Sequence, residues 1–192
     1  MIIFYVKAVF LQSLRDIDKN ASLIMAKESP EKQYRKLYDR IYSLCVQNEW
    51  GDPHNYARAK EIYLAGLLGH KLVKEFSGGD AIDEQGECEY KTTTGKNINA
   101  RYAGISNYES WKKQKDYLNK EKIAKYKNHY VARFEKGKVA EVWRLKGSMV
   151  LNILEPKFKN SWRRRNERKD PRISASLSMT EIKKYGKKIY PK

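Results

Sequence analysis

The chain has 192 residues, 33% of them charged and 12% aromatic, with a formal net charge of +17. That length suits one domain with a sizeable core, and the aromatic content excludes a disordered chain. No apolar run reaches the roughly 20 residues of a membrane span. The start, Met1-Ile2-Ile3-Phe4-Tyr5-Val6-Lys7, lacks the basic region and cleavage site of a signal peptide, and Cys45 and Cys88 alone form neither a disulfide framework nor a four-cysteine zinc site. The expected setting is the cytoplasm.

Ser29-Pro30-Glu31 predicts a helix start, with an N-cap, a proline in the first turn and an acid at the positive end. Tyr34, Leu37, Tyr38, Ile41 and Leu44 then recur at helical spacing. Asp52-Pro53 opens a second expected helix, carrying Ala57, Ile62, Leu64, Leu67, Leu68, Leu72 and Val73 and ending near Phe76 at Ser77-Gly78-Gly79. Glu87 to Thr94 reads as a strand bounded by Gly86 and Gly95. Ser106-Asn107-Tyr108-Glu109 matches a capping box and predicts a helix with Trp111 and Tyr117. Tyr130–Phe134 and Val139–Leu145 are expected strands, joined by a turn at Glu135-Lys136-Gly137-Lys138. Arg172–Ser176 reads as a short strand. Ser178-Met179-Thr180-Glu181 is a second capping box, for a helix stopped by Gly186. The expectation is a single domain, 1–192, of α/β or mixed α+β class. Residues 1–75 are mainly helical, and 76–192 hold a mixed sheet flanked by helices.

Charge is unevenly placed. Residues 1–95 carry 13 basic and 14 acidic side chains, whereas residues 96–192 carry 27 basic and 9 acidic, a net of +18. Such asymmetry points to a polyanion, of which nucleic acid is the commonest. The densest stretch, Lys157 to Lys169, interleaves Phe158 and Trp162 with cations. Arginine forks fit phosphate oxygens or guanine edges. The candidate DNA-contacting residues are Lys112, Lys113, Lys115, Asp116 and Tyr117 around the Trp111 helix, and Arg163, Arg164, Arg165, Lys169 and Asp170 in the late basic segment. The two acids can accept from the cytosine amino group; the plainer alternative is that they pair with neighbouring cations.

Just before the basic half, residues 80–91 hold five acids in twelve positions. Strand alternation puts Glu87, Glu89 and Lys91 on one face and turns Cys88 and Tyr90 inward. With a turn at Gln85-Gly86, Asp80 comes to lie beside Glu89 on the adjacent strand. Adjacent carboxylates repel, and a divalent cation relieves that repulsion. Hard oxygen donors suit Mg²⁺, which keeps waters and shares phosphate oxygens. A lysine alongside can orient or activate a water. The pattern points to phosphodiester hydrolysis.

Asp80…Glu89-Tyr90-Lys91 resembles the motif of the PD-(D/E)xK nuclease superfamily, with Gly79 where proline is usual. Further likeness, to small type II restriction endonucleases, lies in Asp80-Ala81-Ile82-Asp83 with Gly86, in Ile123-Ala124-Lys125-Tyr126-Lys127, in Asp170-Pro171-Arg172-Ile173 and in Tyr185-Gly186-Lys187-Lys188-Ile189-Tyr190. The resemblance implies a restriction-endonuclease-like central mixed sheet. It implies metal ligation by Asp80, Glu89 and the Tyr90 carbonyl, Lys91 at the attacking water, and Tyr126 in an auxiliary role. It also implies a homodimer built on the N-terminal helical part, acting on double-stranded DNA; a companion methyltransferase acting on the same site is a candidate partner that the sequence leaves open. Asp83 is the rival to Asp80 as first acid. Ser77, Lys115-Asp116-Tyr117 and Lys169-Asp170 depart from the family pattern at accessory and base-reading positions, so the recognised sequence does not carry over. The competing functions are a structure-selective, homing or phage-type nuclease with the same site, and a basic DNA-binding protein without catalysis. Ile2, Phe4, Val6, Val9, Phe10 and Leu11 are the expected apolar contributors to a dimer interface. His54, His70 and His129 have no partner pattern and are set aside as surface or core residues.

Overall fold

The computed structural model describes residues 28–75, 78–167 and 169–191. The apolar segment from Ile2 to Leu11 lies outside these. The chain divides into two compact units, Met1–Pro53 and His54–Lys192. The helix that follows Pro53, expected in the helical N-terminal part, therefore belongs to the second unit.

In the first unit, α1 spans Pro30–Gln47. Ser29 caps it as expected, its hydroxyl accepting from the Lys32 N–H, with proline and Glu31 in the first turn. Cys45 is its buried residue.

The second unit opens with α2, Tyr56–Leu68. The Asn55 side chain caps it by accepting from the Ala57 and Arg58 N–H groups. The helix was expected to reach Phe76, but it ends at Gly69, which takes the left-handed conformation (φ 71°). Leu72 belongs instead to β1, Lys71–Leu72. β2 is Ala81–Asp83, β3 is Gly86–Thr93 and β4 is Ala100–Ile105.

α3 spans Trp111–Tyr117. Its cap is Ser110, not Ser106. Gln114 explains the shift: its fully buried amide accepts from the Tyr108 N–H and donates to the Ser106 carbonyl, so the 106–110 loop folds back over the helix. A π-turn, Leu118–Lys122, leads on.

β5, Asn128–Glu135, and β6, Lys138–Lys146, form the expected hairpin. Both residues of its two-residue turn have positive φ, Lys136 at 49° and Gly137 at 80°, as the right-handed strand twist requires. α4 spans Gly147–Arg163 and β7 Ile173–Leu177. α5 spans Met179–Tyr185, and its capping box is complete, with Ser178 and Glu181 bonded reciprocally. β8 is Lys187–Tyr190. β1, β4 and β8 are strands the sequence did not assign, whereas β2 is the adjacent strand expected before the Gln85-Gly86 turn.

The larger sheet runs in the order β1-β2-β3-β5-β6-β8, and β4 pairs with β7 in a second, two-stranded sheet. β3 and β5 are parallel; the other pairings of the described strands are antiparallel. The class is mixed α+β, with a mostly antiparallel sheet flanked by helices. The core packs Val150, Leu151, Leu154 and Phe158 of α4 against Tyr102 and Ile105 of β4, Ile173 and Leu177 of β7, and Leu145.

The late basic segment is largely helical. Lys157 to Arg163 form the last turns of α4, with Phe158 fully buried and Trp162 packed on the core four residues later. The Trp162 indole donates to the Tyr108 carbonyl (2.8 Å) and meets the Trp111 ring edge-on at 5.9 Å.

Candidate functional site

The β2–β3 hairpin builds the acidic site. Its register pairs Ala81 with Cys88, so Asp80, one residue earlier, comes alongside Glu89. The Asp80 N–H donates to the Cys88 carbonyl (2.9 Å), and Asp80 Oδ2 accepts from the Tyr90 N–H (2.7 Å). Gly79 permits this approach. A Cβ there would stand 3.0 Å from the Cys88 carbonyl oxygen and 3.2 Å from the Tyr126 ring. Cys88 and Tyr90 point into the protein, as alternation requires, and Glu89 and Lys91 share the other face. The Lys91 ammonium donates to Glu89 Oε1 and lies 5.1 Å from the centre of the Tyr102 ring.

Electrostatics follow from this crowding. Burial, then the Glu89 charge, push the Asp80 carboxyl up to about 7, against the pull of Lys91 and the Tyr90 N–H. Burial disfavours the Lys91 ammonium, but Glu89 in contact, with Asp80 and Glu61 nearby, outweighs it and raises the Lys91 pKa. Asp80 Oδ1 and Glu89 Oε2 accept no hydrogen bond from the described residues. The site thus offers two unengaged carboxylate oxygens beside a protonated lysine.

This donor set fits Mg²⁺, which binds through one or two carboxylates and fills its shell with water and phosphate oxygens. Asp80, Glu89 and the Tyr90 carbonyl are the residues that would hold it. Among the described residues no three His, Cys, Asp or Glu side chains converge in one metal cluster.

Glu61 was missed. It lines a cavity of about 230 Å³ together with Asp80, Tyr90 and Lys91, and its charge acts on both Asp80 and Lys91. Arg58 places it: the buried guanidinium donates to Glu61 (3.1 Å) and to the Val73 carbonyl (2.6 Å), tying α2 to the segment that leads to Asp80. Its one sequence signal is being the sole acid within α2.

Asp83, the rival acid, does not join this group. It shares a face with Ala81, away from Asp80. There it accepts from Asn128 Nδ2 (2.8 Å), the Tyr130 hydroxyl (2.9 Å) and the Gln85 N–H (2.7 Å). Burial alone would raise its pKa; these three donors lower it. Asp83 is therefore a tie between the hairpin and β5. Asp83→Ala is expected to cost about 1–3 kcal/mol by leaving buried donors unpaired. Urea unfolding measures that loss; activity per folded molecule should hold, and its abolition without loss of stability would return Asp83 to the site.

Tyr126 is buried against Gly79, and burial with the Glu89, Glu87 and Asp80 charges pushes its hydroxyl up to about 12. It is a neutral neighbour of the acids. His129, paired with Glu89 across the parallel strands, is fully buried; its ring bonds the Tyr102 hydroxyl (2.9 Å) and the Ile123 carbonyl (2.8 Å). Burial lowers its pKa from 6.5 to about 4, more than the Ile123 carbonyl and Glu89 restore. A histidine held neutral stabilises fully above its unfolded pKa. That contribution is lost as pH falls from 6.5 through the folded value of about 4. The loss is about 3 kcal/mol. Urea unfolding between about pH 7 and pH 4 should show it, and His129→Gln should flatten the curve; equal slopes in both proteins would exclude the assignment.

The candidate DNA-contacting residues fall into one region of the second unit. The Trp111–Trp162 contact sets α3 beside the end of α4, and Asn107 Nδ2 donates to the Pro171 carbonyl (2.6 Å), bringing the Asp170 segment to the same loop. Several members are engaged. Lys115 pairs with Glu155 (2.9 Å), Arg164 with Glu167 (3.1 Å), and Arg165 lies 4.0 Å over the Trp162 ring. Asp170 is gripped by Arg172, which lowers its carboxyl to about 2. The alternative that this acid pairs with a neighbouring cation is the arrangement present. Lys112, Lys113, Asp116, Arg163 and Lys169 are exposed, and Tyr117 packs against Tyr108 with ring centres 5.0 Å apart.

No protein-family model matches the chain, and no curated protein matches it.

Proposed function

We propose that this protein is a Mg²⁺-dependent endonuclease that hydrolyses phosphodiester bonds of double-stranded DNA at a specific short sequence, in the manner of type II restriction enzymes. The observation that carries the reading is the hairpin itself: Asp80 beside Glu89, each with an unengaged oxygen, and Lys91 seated on Glu89. Bound Mg²⁺ supplies charge stabilisation at the scissile phosphate and a more acidic water. Asp80, Glu89 and the Tyr90 carbonyl hold it. The Lys91 ammonium, fixed by Glu89 and Tyr102, orients the attacking water and faces the phosphate charge.

One subunit has one such site and cuts one strand. Double-strand cleavage therefore calls for a homodimer reading a palindrome. The excess positive charge of residues 96–192 suits the DNA backbone. A host carrying such an enzyme requires a companion methyltransferase to protect its own sites.

The test is incubation with linear duplex DNA of known sequence and Mg²⁺. Discrete fragments are expected. Cleavage of branched DNA alone would make the protein a structure-selective nuclease. Duplex binding with no cleavage at any Mg²⁺ concentration would leave a DNA-binding protein without catalysis.

A further inference from the structure

A second feature lies at the Asn128–Lys146 end of the β5–β6 hairpin. Register pairs Asn128 with Lys146, and Arg144 with Lys187 of β8. Arg144 and Lys146 share a face, because Leu145 between them is buried. A cavity of about 650 Å³ opens there, lined by Lys127, Arg144, Lys146 and Lys187, and no carboxylate lines it. Arg144 pairs with Glu84 at its edge (3.1 Å). Lys127, Lys146 and Lys187 pair with no carboxylate among the described residues.

The backbone adds more positive charge. α4 starts at the cavity, and its cap residue is Lys146, which gives it no side-chain cap bond. Ser148 and Met149, in the first turn, line the cavity. The first N–H groups of a helix lack intrahelical partners and carry the positive end of its dipole. Lysine is the wrong charge at that place. The backbone is closely packed there. A Cβ at Gly147 would stand 1.9 Å from the Tyr126 carbonyl oxygen, and the Gly147 N–H donates to the Lys127 carbonyl (2.9 Å). Three exposed lysines that pair with no carboxylate among the described residues surround the cavity at a helix start, an arrangement that attracts an anion.

Arg144 and Lys146 stand on the sheet face of Tyr130 and Tyr90, opposite Glu89 and Lys91, and Tyr126 borders the cavity and packs on Gly79. The excess positive charge of residues 96–192 makes a nucleic-acid phosphate the anion that fits. We propose that the cavity bounded by Lys127, Arg144, Lys146, Lys187 and the start of α4 is a phosphate-binding site that holds a backbone phosphate of the nucleic acid. The site rests on the nucleic-acid reading of the protein but not on cleavage.

The test uses the full chain with Lys127, Lys146 and Lys187 changed together to Gln. The control changes Lys96, Lys136 and Lys138, exposed lysines at the other end of the β5 strand, for the same loss of charge. Binding of a fluorescein-labelled DNA duplex is measured by anisotropy in EDTA across a salt series. The cavity triple should reduce the log–log salt slope by about 2 to 3, at roughly 0.9 per lost phosphate contact. The control should change it by less than about 1. Equal effects of the two triples would overturn the site, as would absence of duplex binding by the wild-type chain. Competition by inorganic phosphate or a mononucleotide, lost in the cavity triple while its duplex binding stays intact, would also overturn it and assign the cavity to a free phosphate ligand. The thermal midpoint of the cavity triple should equal or exceed that of the wild type, since repulsion is relieved, and each single Lys→Gln variant should lower the slope by about 0.9. Wild-type binding with these slopes but no cleavage would leave this site standing while the endonuclease reading falls.

Discussion

Asp80→Asn, Glu89→Gln and Lys91→Ala are each expected to lower DNA cleavage by roughly a thousandfold or more while the fold persists. Asp80 and Glu89 supply the two unengaged carboxylate oxygens of the hairpin. Lys91 supplies the one positive side chain held between Glu89 and Tyr102. Stability should move the other way for Asp80→Asn. The Glu89 charge opposes ionisation of Asp80, so removing the Asp80 charge relieves repulsion. Steady-state cleavage and urea midpoints, measured on the same preparations, check both parts. Full activity in Glu89→Gln would discard the site.

Phe158→Ala should destabilise the protein by about 3–5 kcal/mol, the usual cost of removing a large buried aromatic side chain. Phe158 is fully buried among the core residues of α4, β4 and β7. A surface aromatic in a basic loop would cost almost nothing when truncated. Chemical denaturation therefore separates the two views of the Lys157–Lys169 stretch. An unchanged midpoint would mean that the last turns of α4 do not pack as described.

Those two residues mark what the sequence made legible. Asp80 and Glu89 could be placed because a hairpin is local: glycines mark its turn, and alternation fixes which side chains share a face. The Lys136-Gly137 turn and the Ser178–Glu181 capping box were legible for the same reason. Elements whose limits depend on distant partners were not. α2 stops at Gly69 although Leu72 and Val73 continue its apolar pattern, because β1 is recruited by β2. Ser106 carries the better capping pattern, yet Ser110 caps α3 because Gln114 is buried against the preceding loop. β8 contains Lys187 and Lys188 and forms as a strand by pairing with β6. Glu61 escaped notice because tertiary ties, among them Arg58 bonding to the Val73 carbonyl, bring α2 to the site. Asp170 looked informative as an acid among cations, but its partner stands two residues away.

The parallel pairing of β3 with β5 sets an order of assembly. Asp80 meets Tyr90 across ten residues of chain, within a hairpin of the kind that forms in microseconds. Lys91 pairs with Val131, and Glu89 with His129, only after a forty-residue loop has closed. Non-local pairings of this kind slow folding. The acidic half of the site is therefore expected to form before the strand that completes its surroundings arrives. Substitutions in the β2–β3 hairpin, such as Ala81→Gly, should mainly slow refolding, whereas Val131→Ala should mainly speed unfolding. The reverse partition in stopped-flow kinetics would mean that the parallel pair forms first and the hairpin closes onto it.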